Sequence, residues 1–225
     1  MEENILEFRN VTGSGRKFHL KNVSFTINPG FIYGLMGENG AGKTTLMNYI
    51  LNEHSRYKGK IFLKGEDVKK NHVKKMNSIG FVSEENIFFE ERTVVENVEL
   101  LHAFYDTFDM DLFLKMTKKM QISITKIYGK MSRGERMKFQ LAFAIAHAPC
   151  LYLLDEVTAG MDPVFRMDFF AILQELIRDE TCSVLMTTHI QSEVEKRIDY
   201  VGIIKDGVLQ DFVESMDYGR AYKDA

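Results

Sequence analysis

The 225 residues, 45% hydrophobic and 27% charged, are enough for one large or two small domains with a conventional core, and argue against a disordered chain. A net charge of -3 and a pI near 6.1 leave no basic footprint of the kind expected for nucleic-acid binding. No apolar stretch approaches the roughly 18 residues needed to cross a bilayer; the longest, Leu141 to Leu154, is broken by His147 and Pro149.

The N-terminus M-E-E-N-I-L-E-F is acidic and alternating, without the regions of a signal peptide, so the chain is expected to stay in the cytoplasm. Ile5 to Val11 and Phe18 to Ile27 are rich in β-formers, and the G-S-G-R-K turn between them predicts an antiparallel pair. N-P-G at Asn28 to Gly30 turns the chain into the apolar strand F-I-Y-G-L-M. A glycine-rich turn follows, then a helix through Leu51. Lys60 to Leu63 and Ile79 to Val82 read as further strands, with a turn at Gly65. The basic run Lys69, Lys70, Lys74 and Lys75 is expected to be a solvated face.

From about Thr93 to Met120 the spacing becomes helical, with Val94, Val98, Leu101, Phe104, Leu112, Phe113 and Met116 on apolar faces. Core and interface packing explain these Met and Phe residues better than a cofactor box. A second helix opens at M-S-R-G-E, Met131 to Glu135, and runs to Pro149. L-Y-L-L-D-E, Leu151 to Glu156, reads as a buried strand delivering two acids to its carboxyl end. A helix over Val164 to Arg178, the strand S-V-L-M-T-T ending at His189, a further helix and a hairpin at Asp206-Gly207 complete the chain. The alternation predicts a largely parallel sheet with an antiparallel edge. Cys150 and Cys182 each open an apolar run and are expected to be reduced core thiols.

The stretch Gly37, Glu38, Asn39, Gly40, Ala41, Gly42, Lys43, Thr44, Thr45 fits the phosphate-loop pattern G-x-x-x-x-G-K-[ST] between a strand and a helix. A polyphosphate needs inward-pointing N–H groups with no side chain in the way, which the glycines allow. Lys43 can reach the β- and γ-phosphates, and Thr44 can offer its hydroxyl to Mg²⁺. Asp155 and Glu156 lie on opposite sides of a strand end, Asp155 assigned to the metal side and Glu156 to general-base work; alone, the pair could merely cap a strand. His189 ends an apolar strand, where an imidazole can donate to a γ-phosphate or serve a structural role. Ser132 and Glu135 fit the capping box S-x-x-E, and with Gly134 they can also present N–H groups to an anion.

In this order the motifs resemble those of ATP-binding cassette (ABC) transporter ATP-binding subunits, over essentially the whole chain. Gly37 to Thr45 resembles the Walker A loop and Leu151 to Glu156 the Walker B strand with its catalytic glutamate. M-S-R-G-E is similar to the signature L-S-G-G-Q, Ala159 to Asp162 to the D-loop, and His189 to the switch histidine. The resemblance implies an α/β P-loop NTPase core, a mostly parallel sheet flanked by helices, with an N-terminal antiparallel β edge. It implies one domain over 1–225, with a helical subdomain inserted at about 85–148. It further implies an ATPase using ATP and Mg²⁺, a homodimer or a pairing with a related subunit around two ATP, and Ser132 and Gly134 acting on the other protomer's nucleotide.

A separate integral membrane subunit is implied as partner, received by a surface that includes Glu84 to Asn97. This would set the chain on the inner face of the cell membrane; nucleic acid is not expected. The short length and the form of the signature look closest to small bacterial exporters of drugs, peptides or lipids. Glu84 stands where the family has the Q-loop glutamine and remains a candidate metal-side group. Arg133 and Glu135 depart from the signature. No aromatic stands at the adenine-stacking position, for which Phe18 is a substitute. The alternative is a nucleotide-dependent clamp acting on a soluble partner, which the single cassette and the lack of a basic stripe do not favour.

Overall fold

The computed structural model describes residues 4–14, 20–52, 54–70, 72–84, 88–159, 161–189 and 196–218. Phe18, most of the G-S-G-R-K turn and the segment following His189 lie outside them.

Strand β1 (Leu6–Gly13) is the antiparallel partner of β2 (Val23–Ile27), as the β-formers on both sides of the turn predict, and also of β4 (Tyr57–Leu63), which β5 (Glu66–Asp67) extends. Lys64 and Gly65 both take positive φ, 46° and 71°, the backbone that matches a two-residue hairpin to the twist of its strands. The sheet order is β2-β1-β4-β5.

Among the described residues the second sheet has seven strands. Strands β3 (Ile32–Met36), β6 (Ile79–Val82), β7 (Leu151–Asp155), β8 (Ser183–Thr187) and β9 (Tyr200–Lys205) run parallel, and β10 (Val208–Leu209) and β11 (Val213–Glu214) are antiparallel to β9. The order is β10-β9-β3-β8-β7-β6, with β11 also beside β9. Both faces are covered, so these strands read as continuous apolar runs, yet alternate residues still serve opposite faces. Tyr33, Leu35, Leu151, Leu153 and Leu185 pack with the first sheet and helix α1 (Lys43–Leu51). Ile32, Tyr152, Leu154, Val184 and Met186 pack with the helices of the other side.

After α2 (His72–Met76), the described residues between β6 and β7 include three α-helices: α3 (Val94–Leu101), α4 (Met110–Lys119) and α5 (Arg133–Ala146). Helix α6 (Pro163–Leu176) links β7 to β8. Each of α3 to α6 starts at a side-chain cap, Thr93, Asp109, Ser132 and Asp162 respectively, which satisfies N–H groups that a helix leaves unpaired at its start. Helix α5 is buried from Phe139 to Ala146, and Phe88, Phe139, Phe143 and Tyr128 pack ring on ring beside it. Phe113, Met116 and Met120 are core residues of the same cluster.

One expectation is corrected. Lys75 is not on a solvated face: it is 6% exposed, its ammonium donating to Glu66 Oε2 and to the Lys70 carbonyl oxygen, both at 2.7 Å. The two thiols are free and buried, Cys150 donating to the Ser78 carbonyl oxygen. Burial pushes Cys150 up and Cys182 up to about 12, so both stay protonated.

The Asp206-Gly207 turn between β9 and β10, with φ of 51° and 79°, reaches the phosphate loop. The Gly207 N–H donates to the Ala41 carbonyl oxygen at 3.0 Å, and the Gly207 carbonyl accepts from the Lys21 N–H at 2.7 Å.

Candidate active site

Strand β3 ends at Met36 and α1 begins at Lys43, leaving a tight loop between two rigid elements. Gly37 is required by packing, because a Cβ there would sit 2.4 Å from the Ile204 carbonyl oxygen. Gly42 is required by conformation: it forms the start of α1 at φ 119°, which a side chain tolerates poorly. The start of α1 has no side-chain cap, in contrast to α3 to α6. A glycine start leaves room for an anion to approach the first N–H groups and the positive end of the helix dipole.

Lys43 is 5% exposed and lies folded under this loop, donating to the carbonyl oxygens of Gly37 at 2.8 Å and Glu38 at 3.2 Å, with Glu156 Oε1 3.4 Å away. The Thr44 hydroxyl donates to Asp155 Oδ2 at 2.9 Å. The structure therefore brings together residues 111 positions apart because β3 and β7 both flank β8 and end on the same edge.

Asn39, Gly40, Gly42, Lys43, Thr44, Thr45, Ser83, Glu84, Asp155 and Glu156 line one cleft of about 390 Å³. Gly37, Glu38 and Ala41 belong to the same loop but do not line the cleft. The donors beside the loop, the Thr44 hydroxyl and the carboxylate oxygens of Asp155 and Glu156, are hard and suit Mg²⁺. Among the described residues no cluster of three or more His, Cys, Asp or Glu could hold a metal by itself. Mg²⁺ sites of the phosphate-binding kind need only one or two protein oxygens, the remainder coming from phosphate and water.

Glu156 takes φ 50°, an uncommon backbone for a residue with a side chain. The turn sends Asp155 toward Thr44 and Glu156 toward Lys43, the divergence expected of two consecutive acids. Thr187, which sequence reasoning missed, holds this turn: its hydroxyl donates to Asp155 Oδ1 at 2.6 Å and accepts from the Glu156 N–H at 2.8 Å. Its only signal in the sequence is its place at the end of an apolar strand, two residues before His189. Gln140 was also missed; buried on α5, it accepts from the Ser83 N–H at 3.1 Å and donates to the Tyr128 hydroxyl at 3.2 Å.

The remaining predicted residues stand apart from the loop. His189 follows β8 by two residues, is exposed, and is not among the residues lining the cleft. Ser132 and Gly134 begin α5 outside the cleft. The capping box is present: Ser132 Oγ accepts from the Glu135 N–H at 3.3 Å, and Glu135 Oε2 accepts from the Ser132 N–H at 2.8 Å. Lys126 also donates to both Glu135 oxygens at 2.8 Å, and with the Ser132 N–H it holds this carboxyl below its usual range. Glu84 lies at the cleft rim, with its carboxylate ion-paired to Arg133.

Comparison with known proteins accords with this geometry. The family described as ABC transporter matches residues 20–159. The ABC transporter ATP-binding protein YtrB of Bacillus subtilis is 32% identical over 195 residues, covering 87% of this chain and 66% of that protein. The bacitracin transport ATP-binding protein BcrA of Bacillus licheniformis is 31% identical over 199 residues, covering 87% of this chain and 64% of that protein. The chain thus spans slightly less than two thirds of the length of these relatives. Among solved structures, an ATP-binding subunit of an ABC transporter superposes with a TM-score of 0.86 at 22% identity, covering 97% of this chain and 93% of that one. The ATP-binding cassette MJ0796, solved as a dimer in a post-hydrolysis state with ADP and Pi, superposes with a TM-score of 0.82 at 22% identity, covering 93% and 98%. These structural likenesses show the fold, and the family match and the relatives show the lineage: the chain belongs to the ABC transporter family, as one of its ATP-binding domains.

Proposed function

We propose that the chain is the ATP-hydrolysing subunit of a transporter, closing as a dimer around two ATP and driving a separate membrane subunit in the direction of export. The observation that carries this reading is the convergence of Lys43, Thr44, Asp155 and Glu156 on one cleft. The loop from Gly37 to Thr45 wraps the phosphates, and Lys43 exchanges its loop carbonyls for β- and γ-phosphate oxygens. Thr44 and Asp155 would hold Mg²⁺, and Glu84 would join them from the rim on leaving Arg133. The metal would supply charge neutralisation at the phosphates.

Glu156 then accepts the proton of the attacking water, and His189 donates to the γ-phosphate. Ser132 and Gly134, away from their own cleft, act on the nucleotide of the partner protomer, with the dipole of α5 behind them. Family membership and the name of the BcrA relative support transport. Among the described residues no helix is long and apolar enough to cross a membrane, in keeping with a membrane subunit carried on a separate chain. The site of action we propose is the inner face of the membrane, reached through that partner.

Steady-state hydrolysis by the purified chain tests the reading. Glu156→Gln should lower turnover by about 10²- to 10⁴-fold, the scale of a general base, while ATP binding persists. Unchanged turnover would remove Glu156 from this role. Copurification with ribosomes or DNA, and not with a membrane protein, would overturn the transport assignment.

A further inference from the structure

We infer that Thr187 is a positioning residue for hydrolysis, its one hydroxyl fixing both acids of the site: which Asp155 oxygen faces the metal, and the turn that aims Glu156. The inference rests on the roles proposed above for Asp155 and Glu156.

Thr187 is the last residue of β8 and is fully buried. In the parallel pairing of β7 with β8 it lies opposite Asp155, so the register delivers its side chain to that carboxylate. A hydroxyl has one proton and two lone pairs. The proton goes to Asp155 Oδ1, and a lone pair receives the Glu156 N–H. Asp155 Oδ1 is thereby occupied, and Oδ2, which Thr44 now contacts, is the oxygen left for the cleft. The same hydroxyl gives the Glu156 N–H its acceptor in a backbone turn that a side-chain-bearing residue adopts reluctantly. Glu156 is thus pinned at its backbone, with its carboxylate turned toward Lys43, 3.4 Å away.

A buried strand position also favours any β-branched residue, and under that explanation valine would serve equally well. Thr187→Val keeps the shape and removes both hydrogen bonds, so it separates positioning from packing. Thr187→Ser keeps the hydroxyl and removes the methyl group.

Three measurements on the purified full chain decide the matter. Amide hydrogen exchange without nucleotide or metal should show the Glu156 N–H exchanging at least about tenfold faster in Thr187→Val than in wild type or Thr187→Ser, as expected when a buried donor loses its acceptor. In the ADP-loaded chain, the Mg²⁺ concentration giving half of the thermal stabilisation should rise several-fold in Thr187→Val, and stabilisation by ADP alone should not change. Turnover should fall about 10- to 100-fold in Thr187→Val with little change in KM for ATP, the mark of an interaction that matters in the transition state, and Thr187→Ser should stay within a few-fold of wild type.

Wild-type exchange, metal dependence and turnover in Thr187→Val would overturn the inference, as would a Thr187→Ser variant as impaired as Thr187→Val. Should Thr187→Val not fold, Thr187→Ala carries the same comparison. A wild-type chain that hydrolyses no ATP would count against the proposed function, whereas an active wild type matched by Thr187→Val counts against Thr187 alone.

Discussion

The carboxylate of Glu84, just past the end of β6, is ion-paired with the guanidinium of Arg133, the first helical residue of α5. Both residues line a small pocket with Met131, Arg136, Met137 and Gln140. Glu84 and Arg133, two of the residues that the resemblance marks as departures from the family's motifs, therefore meet each other. With side chains 46% and 54% exposed, the pair is screened by solvent. A double-mutant cycle with Glu84→Gln and Arg133→Gln should give a coupling of about 0.2–1 kcal/mol in stability, smaller at high salt. A coupling well above that, unaffected by salt, would mean the pair is far less hydrated than its exposure indicates.

Lys43 is held by two carbonyl oxygens of its own loop, which under the proposed function it exchanges for phosphate oxygens. Lys43→Ala should weaken ATP binding about 10- to 100-fold, the range of one or two charge-assisted hydrogen bonds. Calorimetric titration measures it directly, and undiminished affinity would disprove the phosphate role.

Gly37→Ala places a methyl group 2.4 Å from the Ile204 carbonyl oxygen and 2.9 Å from Ile204 Cγ2, and the backbone oxygen has little freedom to yield. Overpacking of this kind costs about 1–3 kcal/mol. Urea denaturation should show this loss together with impaired nucleotide binding. Gly40→Ala meets no neighbouring atom, and its positive φ of 83° leaves only conformational strain. It should therefore be the milder change.

His147 predicts a pH dependence of stability. Its ring is 2% exposed, stacks on Tyr105 at 4.3 Å, and sets Nδ1 3.2 Å from the Phe143 carbonyl oxygen and Nε2 3.1 Å from that of Ile79. Burial pushes its pKa below the usual 6.5, outweighing the two carbonyls, which favour the proton. The unfolded chain thus takes up a proton on acidification before the folded chain does. This contribution to stability is present above pH 6.5 and is lost as the pH falls toward the folded pKa. The thermal midpoint should drop between pH 7 and pH 5.5, and His147→Gln should flatten that slope.

What could be read in advance depended on how local the cause is. The phosphate loop, the capping box of Ser132 and Glu135 and the Asp206-Gly207 turn are each written within a few residues, and all three were legible. The acids of Leu151 to Glu156 were legible as an apolar run ending in charge. Thr187 was not, because its role exists only through the register of β8 against β7. Nor was the burial of Lys75, which depends on Glu66 across a turn, or the meeting of Glu84 with Arg133. The sequence named both Glu84 and Arg133 as departures without showing that they are partners.

The hydrogen bonds of Gly207 set a lower limit on the smallest fragment able to hold a nucleotide. No recognised motif lies beyond His189, so an excision guided by motifs would stop there. Yet Ile204 closes over Gly37, and Gly207 ties Ala41 to Lys21. A fragment ending at residue 189 would keep every residue assigned to chemistry and lose the two clasps that hold the phosphate loop shut from outside, leaving the motifs present and the binding site unformed.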